Sequence, residues 1–110
     1  MNTITTHVLD LSRGEPAAQI DVRLECRAGD GAAWHLLAQT ATDDDGRVRD
    51  WPEAPAATAG IYRLTFTTAG RFTQSFYPEI SVTFQITDAA RRYHVPLLLS
   101  PFGYTTYRGS

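Results

Sequence analysis

Short runs in which apolar and polar residues alternate at a period of two recur along almost the whole chain, and this pattern limits the fold more than any other feature. In Ile20-Asp21-Val22-Arg23-Leu24-Glu25-Cys26, the residues Ile20, Val22, Leu24 and Cys26 point one way and Asp21, Arg23 and Glu25 the other. That is the signature of a half-buried strand. Tyr62–Phe66 and Val82–Ile86 alternate in the same manner and are rich in the β-branched and aromatic residues that suit a pleated surface. Further strands are predicted at Ile4–Leu9, Trp34–Thr40, His94–Leu99 and Tyr104–Tyr107. Turn signals separate them at Ser12-Arg13-Gly14, Ala28–Gly31, Asp43–Gly46, Pro52–Gly60 and Pro101-Phe102-Gly103. Seven or eight short strands at this spacing predict an antiparallel sandwich or barrel. Only Thr68–Ser75 has room for a helical turn or two.

The chain of 110 residues makes one domain, residues 1–110, with no internal repeat or linker. Its ten Lys/Arg and twelve Asp/Glu give a formal net charge of −2, which leaves no broad basic field for a phosphate backbone and argues against a nucleic-acid partner. The single Cys26 cannot form an intramolecular disulfide, so packing or oligomerisation must supply stability, and a reducing compartment fits. The opening residues carry neither a cationic nor an apolar signal region, and no apolar run reaches the roughly 18 residues that cross a bilayer. The expected location is the cytoplasm, away from membranes.

Two strands break the rule of apolar inside and polar outside. In Thr5–Leu9, Val8 faces the core with Ile4 and Thr6, which puts His7 and Leu9 together on the other face. In His94–Leu99, the core stripe Val95, Leu97 and Leu99 leaves His94, Pro96 and Leu98 outside. Each outer face mixes leucine with histidine, so a second subunit or a ligand is expected to cover it. Pro96 removes a ladder donor and suits a strand whose N–H is unpaired at that point.

His7 and His94 titrate close enough to neutral pH to move protons, whereas His35 follows Trp34 in a strand without such a pattern and is read as structural. Asp43-Asp44-Asp45-Gly46-Arg47 resembles a calcium loop only superficially: the alignment leaves Ala41 at the first ligand position and Pro52 at the twelfth. It reads instead as an acidic turn with Gly46 at positive φ. Arg47 beyond it is either a solvated strand-end cation or an anion clamp. Tyr107-Arg108-Gly109-Ser110 reads as a strand fraying into a tail. No nucleophile elbow, Walker loop, dinucleotide fingerprint or Cys/His metal cluster occurs.

The final Tyr107-Arg108-Gly109-Ser110 also resembles the tetrapeptide that marks hydroxyisourate hydrolases of the transthyretin-like family. Thr6-His7-Val8-Leu9-Asp10, Gly14-x-Pro16-Ala17, Asp45-Gly46-Arg47, Ser75-Phe76-Tyr77-Pro78 and His94–Pro101 resemble family motifs in the same order, so the resemblance spans nearly the whole chain. It implies an all-β, eight-stranded antiparallel prealbumin-like sandwich with at most one short helix, although Gly70–Tyr77 is compact for the family. It further implies a homotetramer in which edge-paired dimers stack face to face and enclose active sites in the channel between them. Carried over motif by motif, the catalytic set is His7, Arg47, His94 and Ser110, and the substrate-binding set is His7, Arg47, Tyr107, Arg108 and Gly109.

The reaction implied is hydrolysis of the cyclic amide of 5-hydroxyisourate to 2-oxo-4-hydroxy-4-carboxy-5-ureidoimidazoline in urate catabolism. One histidine, His7 or His94, would assist the water while Arg47 binds the anionic substrate or developing oxyanion. Tyr107 and Ser110 would position substrate, and a carboxylate beside Ser110 would help orient a histidine. No metal or organic cofactor is implied, since water is the only co-substrate. A small-ligand carrier using the same channel, as transthyretin does, is the alternative, followed by an adhesion or assembly domain.

Overall fold

The computed structural model describes all 110 residues and contains no helix. Nine segments pair as strands: β1 (Ile4–Asp10), β2 (Glu15–Pro16), β3 (Asp21–Arg27), β4 (His35–Ala41), β5 (Arg47–Val48), β6 (Gly60–Thr67), β7 (Glu79–Ile86), β8 (Tyr93–Ser100) and β9 (Gly103–Thr106). One sheet runs β2-β1-β8-β9 with β5 also paired to β1, and the other runs β4-β3-β6-β7. The seven longer strands all overlap runs expected from the alternation, and the sandwich stands as read.

Two details differ from the expectation, and a third that it left open is decided. Nine segments pair rather than eight, because β2 and β5 are two-residue pairings on β1, too short to carry any period. The pairing of β1 with β8 is parallel while every other is antiparallel. Side-chain alternation is the same in either orientation, so sequence pattern cannot distinguish them. Residues 68–75 form turns, with Gly70 at φ +84° and the N–H groups of Thr68 and Ala69 both bonded to the Pro78 carbonyl. Those bonds tie the segment to the start of β7 and leave no run of helical backbone.

The core lies between the sheets where the inward rows meet, for example Val8 and Leu97 against Leu24, Leu64 and Phe66. Trp51, just past β5, is fully buried and donates its indole N–H to the Ile4 carbonyl at 2.8 Å. Its large apolar area closes the core, and its one polar atom is satisfied.

Asp10 is the one carboxylate on the inward face of β1, with its side chain completely covered. Oδ1 accepts from the Ser12 N–H, the Ser12 hydroxyl and the Arg13 N–H at 2.9, 2.6 and 3.2 Å. Oδ2 accepts from Nε and Nη2 of Arg71 at 3.2 and 3.1 Å, which ties the end of β1 to the β6–β7 connection. Burial by itself raises the Asp10 pKa, but the donors from Ser12, Arg71 and Arg13 outweigh it and hold the carboxyl below the ordinary range. Replacing Asp10 by Ala strands Arg71 without its counter-charge, and denaturant unfolding at pH 7 is expected to register a loss of about 3–5 kcal/mol. The carboxyl titrates lower folded than unfolded, so its contribution is present above pH about 4 and fades as pH falls through the folded-state pKa. Wild-type and variant stabilities should therefore converge in acid; a pH-independent gap would contradict the ionic account.

Candidate active site on the outer face of one sheet

The seven-residue register between β1 and β8 brings the two exceptional faces together. Thr5 lies beside His94, His7 beside Pro96 and Leu9 beside Leu98, all on the face turned away from the core. Leu9 and Leu98 are half-buried there. On the other side of β1, β5 sets Arg47 directly opposite His7. Sheet pairing alone has thus gathered both histidines and the arginine.

The turn before β5 dictates where Arg47 goes. Gly46 has φ +75° and is buried, its carbonyl accepts the Val8 N–H at 2.7 Å, and a Cβ at this position would run into the Val8 carbonyl oxygen. Only glycine meets both demands. Asp43 Oδ1 accepts from the N–H groups of Asp45 and Arg47, each at 2.9 Å, and Oδ2 accepts from Arg49 Nη1 at 2.8 Å. These donors, that of Arg47 foremost, keep the Asp43 carboxyl below its usual pKa. The Arg47 guanidinium itself has no carboxylate within ion-pairing distance.

Pro96 lies on an interior strand, with β1 on one side and β9 on the other, but at a position that has no ladder partner in β9, as expected for a residue without an N–H. Having no N–H, it interrupts pairing with the returning chain, and its carbonyl is taken by the Thr106 hydroxyl at 2.7 Å. Strand β9 ends there, Tyr107 and Arg108 leave the ladder, and the chain re-docks where the Gly109 N–H donates to the His94 carbonyl at 2.8 Å. A Cβ on Gly109 would lie 2.5 Å from Cδ2 of His94 and 3.3 Å from Cγ of Pro96. The absence of a side chain at 109 is what lets the tail lie against the imidazole. Arg108 rests 4.6 Å over the Tyr93 ring.

These pieces line an open groove of about 810 Å³ whose walls include Arg47, His94, Arg108, Gly109 and Ser110 and contain no hydrophobic residue. Of the expected site residues, these five are brought together. His7 adjoins Arg47 without lining the groove, and Tyr107 faces a separate recess of about 210 Å³ with Val82 and Phe84, which His94 and Arg108 also border. His35 lies on β4 in the other sheet.

Sequence reasoning missed Thr5, whose hydroxyl is 2.8 Å from His94 Nδ1, because only the β1–β8 register makes them neighbours. It also missed Arg49, Arg91 and Arg92 in the groove wall. The paired arginines are visible in the sequence, but the β7–β8 turn decides where they sit.

Both imidazoles are pulled below their ordinary pKa of 6.5. For His7, burial is the first cause and Arg47 the second, against an opposing pull from Asp43 and Asp45. For His94, burial is again first, followed by the positive charge of Arg47 and by His7. At neutral pH the groove holds neutral imidazole beside a fixed cation, which is the state a general base requires.

A model of the HIUase/Transthyretin family matches residues 4–109. The chain belongs to that family. Among its relatives, a 5-hydroxyisourate hydrolase of Salmonella dublin is 45% identical, with 99% of this chain aligned to 82% of that protein. The uric acid degradation bifunctional protein of Arabidopsis thaliana is 43% identical over 97% of this chain, which spans only 37% of that longer protein. Among solved structures, Klebsiella pneumoniae 5-hydroxyisourate hydrolase superposes with a TM-score of 0.80 at 35% identity, covering 100% of both chains. Sea bream transthyretin in complex with thyroxine gives 0.87 at 29% identity, covering 97% of this chain and 94% of that one. The scaffold is thus shared by hydrolases and by a protein solved with bound thyroxine, so the groove's chemistry must decide between the two kinds of site.

In an NMR pH titration, the His7 and His94 ring resonances are expected to move with midpoints below 6.5, and Arg47→Gln should raise both midpoints. Since each histidine titrates lower folded than unfolded, the stability it contributes is present above pH 6.5 and is lost as pH falls through the folded-state values. Midpoints unmoved by removal of Arg47 would contradict the assigned electrostatics.

Proposed function

We propose that this chain is a 5-hydroxyisourate hydrolase of urate catabolism, opening the six-membered ring amide to give 2-oxo-4-hydroxy-4-carboxy-5-ureidoimidazoline. The observation that carries this reading is the juxtaposition, in a groove lined by no hydrophobic residue, of the unpaired Arg47 with His94, whose pKa is held down by burial and by Arg47. A carrier for a hydrophobic ring system calls for walls built mainly of hydrophobic and aromatic side chains. The named hydrolases among the relatives support the same choice.

In this reading His94 is the base. The Thr5 hydroxyl lies 2.8 Å from Nδ1; in the proposed tautomer Nδ1–H donates to it, and Nε2 carries the lone pair that accepts a proton from water. The resulting hydroxide adds to the ring carbonyl, and the developing oxyanion is stabilised by the Arg47 guanidinium. Collapse breaks the C–N bond, and the departing ring nitrogen takes the proton back from the imidazolium. The new carboxylic acid then ionises to carboxylate. His7, held opposite Arg47, assists in binding the ring, and Tyr107, Arg108, Gly109 and Ser110 position substrate, with the Ser110 hydroxyl beside the reacting water. Water is the only co-substrate, so neither metal nor organic cofactor enters the scheme.

The active assembly is a homotetramer whose sites lie where two dimers meet. The openness of the groove in one chain, the half-buried Leu9 and Leu98 on its sheet and the exposed Leu11 and Phe102 all support this. No helix is long and apolar enough to cross a membrane, and a cytoplasmic setting is part of the proposal.

The test is decay of freshly generated 5-hydroxyisourate, produced in place from urate and urate oxidase and followed by absorbance. Wild-type protein should accelerate decay, and His94→Ala should lower kcat by about 10²–10⁴-fold, the usual span for loss of a general base. Arg47→Glu should abolish turnover while light scattering still reports a tetramer. Decay at the spontaneous rate with wild-type protein would overturn the hydrolase and favour a channel-binding role.

A further inference from the structure

All ten basic residues of this chain are arginines, and five of them, Arg47, Arg49, Arg91, Arg92 and Arg108, line the one groove. No acidic side chain is among the lining, although the chain as a whole carries a net charge of −2. Charge has therefore been segregated toward the site. Local pairing accounts for only part of it. Arg49 is neutralised by Asp43 and Asp45 at 2.8 and 3.3 Å, but Arg91 meets Asp88 only at 3.8 Å, with both side chains largely in water. Arg92, like Arg47 and Arg108, has no carboxylate partner.

Arg91 and Arg92 belong to a braced turn between β7 and β8. The Tyr93 hydroxyl accepts from the Thr87 and Asp88 N–H groups at 3.3 and 3.1 Å and donates to the Asp88 carbonyl at 3.1 Å, while the same ring supports Arg108. Two guanidiniums held two and three residues before His94 repel the other cations of the groove unless an anion lies among them. A cleft whose charged side chains all carry one sign also focuses the field and raises the capture rate of an oppositely charged ligand.

We propose that Arg91 and Arg92 form an outer anion site at the groove, which captures heterocyclic ring anions of the deprotonated oxopurine type and delivers them to Arg47 and His94. This rests on the hydrolase reading and adds to it a capture step made by residues that do not touch the reacting atoms. It makes kcat/KM sensitive to salt and leaves kcat alone.

The experiment compares the tetrameric wild type with Arg91→Gln/Arg92→Gln and the charge-conserving Arg91→Lys/Arg92→Lys in the 5-hydroxyisourate assay. At low ionic strength the Gln pair should lower kcat/KM about 3- to 10-fold, at the modest end of electrostatic steering, with kcat within twofold. The Lys pair should stay near wild type, which also controls for damage to the turn. In about 1 M salt, where the Debye length is about 3 Å, the Gln pair and wild type should converge. Calorimetric titration with urate, a non-hydrolysed ring anion, should report weaker binding to the Gln pair at low salt only. Equal kcat/KM in all three active proteins at low salt, a deficit shared by the Lys pair, or a deficit that persists at high salt would overturn the capture site and leave the hydrolase standing. A wild type without hydrolase activity would overturn both.

Discussion

The parallel pairing of β1 with β8 is the constraint on which the rest depends. It joins two segments that are far apart in the chain along seven residues, buries Ile4, Val8, Leu97 and Leu99 on one face, and aligns Thr5 and His7 with His94 and Pro96 on the other. Because side chains alternate strictly, a slip of one residue by either strand would send its histidine into the core and its own apolar row into water. The same burial that stabilises the sandwich therefore sets the geometry of the groove. Asp10, at the far end of β1, adds a second lock by anchoring that strand to Arg71.

Around this ladder the backbone has been interrupted at chosen points, and each interruption serves the groove. Gly46 lets the acidic turn press against Val8 and deliver Arg47 opposite His7. Pro96 releases Tyr107 and Arg108 from the sheet, and Gly109 brings the chain back against His94. Asp43 spends its carboxylate on the N–H groups of its own turn and on Arg49, leaving Arg47 uncompensated. Burial first, and then the unpaired guanidinium of Arg47, hold both imidazoles below their ordinary pKa.

Much of this was legible in the residues because a period of two reports burial directly. The seven long strands, the inward rows of β1 and β8 and the odd pairing of histidine with leucine on their outer faces all follow from local pattern. Motif order pointed to His7, Arg47, His94 and the Tyr107–Ser110 segment. The two-residue strands were not legible, since two residues carry no period, and neither was the turn structure of 68–75, which depends on contacts to Pro78 and Asp10.

What the sequence by itself determined is the class of structure and the faces of its strands: alternation, glycines at obligatory turns and a proline that breaks a ladder act over a few neighbouring residues. What only the tertiary structure decided is which faces meet. The parallel sense of β1 against β8, the contact of Thr5 with His94, the separation of Tyr107 from the main groove and the convergence of five arginines are long-range outcomes. They arise because burying both inner faces at once leaves one register in which every apolar row is covered, and that requirement acts on the whole chain rather than on any segment of it.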